Sequence, residues 1–398
     1  MPEGASPPHL GDEGSRDTKG SMMTELANLT TMEVDALTDM DGGINLTDGH
    51  ARLPLTEEQA AIVARIPEMF TAASRRPFPE IEREAHATFL GAIGQHSAPV
   101  GTGRILSCYS STLATDIVAR ALPAGTRVAV LHPTFDNIAD LFRTRGLVLE
   151  PLSEEQLLAM QWPAPPVRVV VVTHPNNPTG LVTPEGHLRS LAEHAARHGQ
   201  IVIIDASFRG QVPEAQYDTY AVLDAAGVEW VVIEDTGKLW PTHELKIGML
   251  ASSANCTLPI ERAFSESLLA ASPVVLQLVT ALARDWIDGG WERARILLER
   301  NRSTVQDAVA TCGLTLADPE SRISVARIGL PESGPNSSRL YQEMLMRSVH
   351  VLPCAPFHWA DPESGLRFIR ISLARPYEAV ETAARLMAKT YLELSTAL

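Results

Sequence analysis

"VRVVVVTHPNNPTG", residues 167–180, sets an unbroken β-branched run directly against a turn rich in Pro and Asn. A strand with one wet face alternates apolar and polar residues. A run without alternation is buried on both faces, as in parallel sheets covered by helices. The same kind of run recurs in "RVAVL" (127–131), "QIVIID" (200–205) and "EWVVIE" (229–234), and helical stretches such as "STLATDIVARAL" (111–122) and "TEEQAAIVARIPEMF" (56–70) punctuate them. Strands alternating with helices predict βαβ units and an α/β large domain, placed here over residues 54–287. Beyond it, a long helix through "WERARILLERNRSTVQDAVATCG" (291–313), short strands near "ISVARIG" (323–329), "VHVLP" (349–353) and "RFIRISLA" (367–374), and a last helix predict a small α+β domain, 288–398.

Upstream of residue 54 the pattern changes. Residues 1–22 combine Pro, Gly and charge with no apolar stretch, which predicts a disordered leader and no signal peptide. Residues 23–53 read as an arm: Leu29, Met32, Val34 and Leu37 have helical spacing, and the Gly-rich "DMDGGINLTDGHARLP" (39–54) follows.

The chain of 398 residues carries 33 Lys and Arg against 48 Asp and Glu, a formal charge of −15. That balance argues against nucleic acid as a partner, which needs a basic face. No window approaches the roughly 18 apolar residues of a membrane span. Cys108, Cys256, Cys312 and Cys354 are scattered with no CxxC pair, favouring reduced thiols in a cytoplasm over disulfides or zinc.

Ligands of open parallel sheets sit beyond the carboxyl ends of the strands. Three ends here are polar: "HPNNPTG" after the valine run, Asp205 followed by "ASFRG", and Asp235 followed by Lys238. Taken alone these are a turn, a helix cap and a loop lysine. Their order and spacing resemble the fold type I pyridoxal-phosphate (PLP) enzymes of the class I and II aminotransferase group. That resemblance implies a mostly parallel seven-stranded sheet and a homodimer. It makes Lys238 the lysine that binds PLP covalently and then acts as base, Asp205 the partner of the pyridinium nitrogen, and Asn177 the donor to the phenolic oxygen. Lys246 would grip the phosphate where the group usually has Arg. Ser110, Ser111 and Thr112 would meet the phosphate at a helix start, with Ser207 as a further cofactor contact. Phe135 would stack on the ring, and Arg370, rather than nearby Arg367, would clamp the substrate carboxylate.

Two positions depart from an ordinary aminotransferase. Asp235 stands where the group keeps Ser or Thr for phosphate, and its charge would be repelled there. It is therefore expected to turn away and read a cationic substrate side chain; Glu234 is the weaker candidate, because strand neighbours face opposite ways. Phe208 replaces a common Tyr. With "SCYSS", "HPTFDNIADLFR", "VVIEDTGKLWPT" and "PFHWADPE", these departures resemble the PLP-dependent L-arginine oxidases and hydroxylases of actinomycete pathways to non-proteinogenic amino acids. The resemblance implies O2 as co-substrate without metal or flavin. L-arginine would yield 4-hydroxy-2-oxoarginine with 2-oxoarginine, ammonia and H2O2. It also implies that the arm folds over the substrate, bringing Thr30, Glu33, Asp48 and His50, with His50 handling protons near neutrality. An arginine aminotransferase and a PLP-binding regulator are the rival readings; the latter lacks a basic DNA-binding segment.

Overall fold

The valine run is closed to water on both sides, and the reason is visible in its neighbours. Val169 and Val171 face one apolar core together with Ile201, Ile203, Val231 and Ile233. Val170 and Val172 face another with Val202, Ile204, Trp230 and Val232. Each fully buried Val or Ile contributes about 1.5–3 kcal/mol, so a one-residue slip of register would exchange two whole core faces.

In this computed structural model the described residues are 28–38 and 42–397, so the leader expected over 1–22 lies outside the described residues. Strands are numbered in chain order: β1 (Ile44–Asn45), β2 (Ile105–Cys108), β3 (Arg127–His132), β4 (Val148–Ser153), β5 (Val169–Thr173), β6 (Ile201–Asp205), β7 (Glu229–Asp235), β8 (Gly248–Ser252), β9 (Thr315–Leu316), β10 (Val325–Gly329), β11 (Val349–His350), β12 (Leu352–Pro353) and β13 (Phe368–Ser372). The seven-stranded sheet runs β2-β8-β7-β6-β5-β3-β4. It is parallel from β7 to β4, while β8 pairs antiparallel with both β7 and β2. Register brings Thr173, Asp205 and Ile233 side by side, so the polar strand ends share one edge.

The second sheet runs β12-β13-β10-β9, antiparallel throughout, over its own core. The helices Pro273–Asp285 and Trp291–Ala310 meet at a kink where Gly289 takes φ 110°, a backbone state that favours glycine. "VHVLP", read as one strand, is two: β11 pairs with β1, and β12 joins the second sheet.

The arm is joined to this second region. β1 runs parallel to β11, with Ile44 opposite Val349. Its helix, Leu29–Thr38, buries Leu29, Met32 and Ala36, with the first two packed beside Leu352, Cys354 and Phe357. Asp136 accepts the N–H of Leu29 at 2.9 Å. Val34 and Leu37, expected on the buried stripe, are instead exposed at 51% and 45% and border the cavity described next.

Candidate active site

The helix Ser111–Ala121 begins against β8, where a Cβ on Gly248 would meet the backbone of Ser110 at 2.5 Å. Only glycine permits so close an approach of strand to helix start. Ser110 caps the helix, accepting the N–H of Leu113 at 3.1 Å. β7 then delivers Asp235, and the turn after it delivers Lys238; Thr236 Oγ1 fixes that turn by accepting the N–H of Ile247 at 2.8 Å.

A cavity of about 410 Å³ opens over these strand ends. Every site residue named from the sequence lines it: Thr30, Glu33, Asp48, His50, Ser110, Ser111, Thr112, Phe135, Asn177, Asp205, Ser207, Asp235, Lys238, Lys246 and Arg370. Phe208 lines it too, its ring 5.7 Å from Lys238 Nζ. Arg367 does not; it donates to the carbonyls of Pro331 and Gly334 on the outside.

Asp235 is not turned as the sequence suggests. Its Oδ2 accepts the N–H of Ser111 at 3.0 Å and its Oδ1 the N–H of Gly237 at 2.6 Å. The free amides and positive dipole at a helix start draw the nearest carboxylate, and this outweighs the expectation that Asp235 avoids the phosphate end. Burial works to raise its pKa, but Lys238, Lys246 and His50 prevail and hold the carboxyl below its ordinary value. Burial lowers the pKa of Lys238, with Asp235 opposing. At Asp205 burial raises the pKa against two bonds from Ser207, whose N–H (3.0 Å) and Oγ (2.6 Å) both reach Oδ1.

His50 reaches this group from the arm. Its Nε2 accepts from Lys246 Nζ at 2.7 Å and lies 3.4 Å from Lys238 Nζ, while Nδ1–H points at Asp48 Oδ1, 3.2 Å away. Desolvation and the Lys238 charge bring its pKa down to about 4, below the near-neutral range expected from the sequence, so it is neutral at pH 7. Asp48 itself is saturated: Oδ1 takes the N–H and Nδ1 of His50, and Oδ2 takes Arg52 Nε (2.7 Å) and Arg375 Nη2 (3.1 Å). A carboxylate offers about four such positions, so Asp48 has none left for a ligand. The resemblance made Asp48 a substrate contact; the geometry makes it the residue that orients His50.

Arg370 is buried, donating to Asn177 Oδ1 at 3.1 Å, to the carbonyl of Thr47 and to Glu33 at 3.3 Å. Burial raises the pKa of Glu33, with Arg370 opposing. Phe135 starts the helix Asp136–Thr144 and leans on Phe357, ring centroids 6.0 Å apart.

These groups fit PLP. Among the described residues nothing bonds Asp205 Oδ2, and Asn177 keeps its amide donors, which leaves one acceptor for a pyridinium N–H and one donor for a phenolic oxygen. Lys238 would supply the amine, Phe135 an aromatic face, Thr112 and Ser111 Oγ the donors at a helix start, and Lys246 a cation from the loop before β8. Arg375, Arg52 and Gln211 were missed. Arg375 acts on residues some 330 positions away, a pairing that no local spacing announces.

No group of three or more metal-ligating side chains forms among the described residues, and no described helix is long and apolar enough to cross a membrane. A family model for aminotransferase class I and II matches residues 43–386. A solved structure of MppP soaked with the product 2-ketoarginine superposes with a TM-score of 0.84 at 42% identity, covering 87% of this chain and 99% of that one. Aspartate aminotransferase of Thermus thermophilus with maleate gives a TM-score of 0.74 at 19% identity over 92% and 96% of the two chains, which shows a shared fold. LL-diaminopimelate aminotransferase of Dehalococcoides mccartyi is 26% identical over 219 residues, so the chain spans about half (54%) the length of the curated relatives it matches.

Proposed function

The chain belongs to the class I and II aminotransferase family, with the fold type I architecture, and from that premise we propose that it is a PLP-dependent oxidase and hydroxylase of L-arginine. The observation that carries the reading is His50, an arm histidine oriented by Asp48 and set 3.4 Å from the amine of Lys238. The 42% identity to a protein that accepts 2-ketoarginine as product supports arginine as the substrate.

When bound, PLP supplies an electron sink that makes the substrate Cα proton removable. Asp205 would hold the ring-nitrogen proton, Asn177 the phenolic oxygen, and Ser111, Thr112 and Lys246 the phosphate. Ser110 shapes the phosphate end through the helix cap, and Ser207 shapes the ring-nitrogen end through the Asp205 carboxylate. Arg370 takes the substrate carboxylate in place of Glu33, which is freed toward the guanidinium. Asp235 has one donor on each oxygen and so retains acceptor capacity for the same group. Thr30 lines the cavity with them. Lys238 Nζ removes the Cα proton, and His50 Nε2, neutral at pH 7 and released when Lys246 turns to the phosphate, takes protons from the side chain or from the water that supplies the hydroxyl. Each oxidation reduces one O2 to H2O2. One oxidation and hydrolysis give 2-oxoarginine and ammonia; a second, with water added at C4, gives 4-hydroxy-2-oxoarginine.

Apolar Val34, Leu37, Tyr109 and Leu245, each more than 40% exposed, lie at or beside the cavity, which supports a homodimer joined near it. The test is incubation of purified protein with PLP and L-arginine without an oxo-acid acceptor. O2 uptake, peroxide and both oxo acids by mass spectrometry are expected. Turnover only with an oxo-acid acceptor would make it an arginine aminotransferase.

A further inference from the structure

One side chain gathers the segment 45–50 of the arm onto the rest of the molecule. Arg375, 4% exposed just beyond β13, uses every N–H it has. Nε donates to the carbonyl of Asn45 at 2.7 Å. Nη1 donates to the carbonyl of His50 at 2.8 Å, to Ser372 Oγ at 2.9 Å and to the carbonyl of Ala374 at 3.1 Å. Nη2 donates to the carbonyl and to Oδ2 of Asp48, both at 3.1 Å. Three carbonyls of a six-residue stretch and its central carboxylate thus converge on one planar fork. An ammonium, with three donors and no fork, cannot reproduce this.

We propose that Arg375 is the positioning residue that fixes His50 at Lys238, docking segment 45–50 and claiming the Asp48 oxygen that would otherwise be open to substrate. The inference deepens the hydroxylase reading and rests on it for the role of His50. Two features give it direction. Ser324 Oγ donates to the carbonyl of Gly49 at 3.1 Å, and Ser324 N–H donates to Gln211 Oε1 at 2.7 Å, while Gln211 Nε2 holds the carbonyl of Lys238 at 2.7 Å. The stretch is therefore tied to the lysine's own main chain on one side and to Arg375 on the other. Gly49 itself leaves no room for adjustment, since a Cβ there would meet Phe208 at 2.9 Å. With both ties intact, the imidazole has one place to be.

The experiment compares the full-length holoenzyme with Arg375→Gln, Arg375→Lys and His50→Ala. In Arg375→Gln, amide exchange over residues 44–52 should quicken by about tenfold or more while β5 and β6 stay protected, because only the docked segment opens. PLP uptake should persist. On L-arginine the ratio of 4-hydroxy-2-oxoarginine to 2-oxoarginine should fall as it does in His50→Ala. Arg375→Lys should recover part of both, and Arg375→Gln combined with His50→Ala should lower the ratio no further than His50→Ala, the mark of two residues acting as one unit. Unchanged exchange over 44–52, or a normal product ratio in Arg375→Gln while His50→Ala lowers it, overturns the proposal. A normal ratio in His50→Ala sinks the reading of His50 instead, and exchange still decides whether Arg375 docks the segment. Arg375→Lys, which keeps the charge, carries the same comparison if the Gln variant does not fold.

Discussion

Glu234 and Asp235 are neighbours on β7, both carboxylates, both almost fully buried, and they behave in opposite ways. Asp235 faces the cavity, where two backbone N–H groups and two lysines keep it ionised. Glu234 faces the other core, where burial outweighs the attraction of Arg209, 3.3 Å away, and lifts its pKa to about 7. Arg209 spends its Nη1 on Gln95 and Thr219 and leaves its Nη2 without a partner. Burial alone does not decide a carboxylate's state; the number of aligned donors does. One face of the strand stores charge for chemistry, and the other holds a costly pair inside the fold.

If that division is right, changes on the two faces separate activity from stability. The largest effect should be Lys238→Ala, which abolishes the visible absorbance of bound PLP and lowers turnover by on the order of 10³-fold or more, with melting little changed. A retained absorbance band would place the cofactor elsewhere. On the opposite face Glu234→Ala should cost about 3–4 kcal/mol in denaturant titration, leaving Arg209 uncompensated, while the residual folded enzyme keeps its KM for arginine. A change in KM without loss of stability would reverse the assignment of faces. Asp235→Ala should weaken arginine by roughly 2–4 kcal/mol, measured by calorimetry on the holoenzyme, with PLP held more firmly than arginine. Loss of PLP with arginine affinity intact would make Asp235 a cofactor ligand, as its bond to Ser111 allows.

The smallest effect is in pH dependence. A carboxyl whose folded pKa is about 7, above its ordinary 4.5, adds stability that is complete below 4.5 and lost as the pH rises through 7. Glu234→Gln should therefore flatten the fall in melting temperature between pH 5 and 8, its deficit relative to wild type shrinking by about 1–3 kcal/mol from the acid to the alkaline end. An equal slope in both proteins would mean that Arg209 keeps Glu234 ionised.

The opposed facing of these neighbours was legible because a strand alternates strictly. The valine run and the polar strand ends were legible for the same reason: they follow from local pattern and order, whereas most of the cavity's lining was named from the family resemblance. What the sequence hid depends on distant partners. β2 and β8 are short and carry no turn signature that marks them as an antiparallel edge. Val34 and Leu37 obey helical spacing yet face out, because the helix Leu29–Thr38 is seated by Leu29 on Asp136 and by Met32 near Phe357 rather than by its apolar average. The orientation of Asp235 turned on a helix start that lies 124 residues upstream.

The parallel pair of β1 with β11 has a consequence in time. Asn45 and His50 leave the ribosome early, but Arg375, their anchor, follows 330 and 325 residues later. At translation rates of about 5–20 residues per second, that interval is roughly 20–60 s, and over about its last third, once β8 is complete at Ser252, the seven-stranded sheet has all its strands while the stretch carrying His50 still lacks its arginine anchor. The His50 end of the cavity is thus made early and anchored late, and a nascent chain stalled before β13 would carry the strand ends of the cleft without its histidine fixed in place.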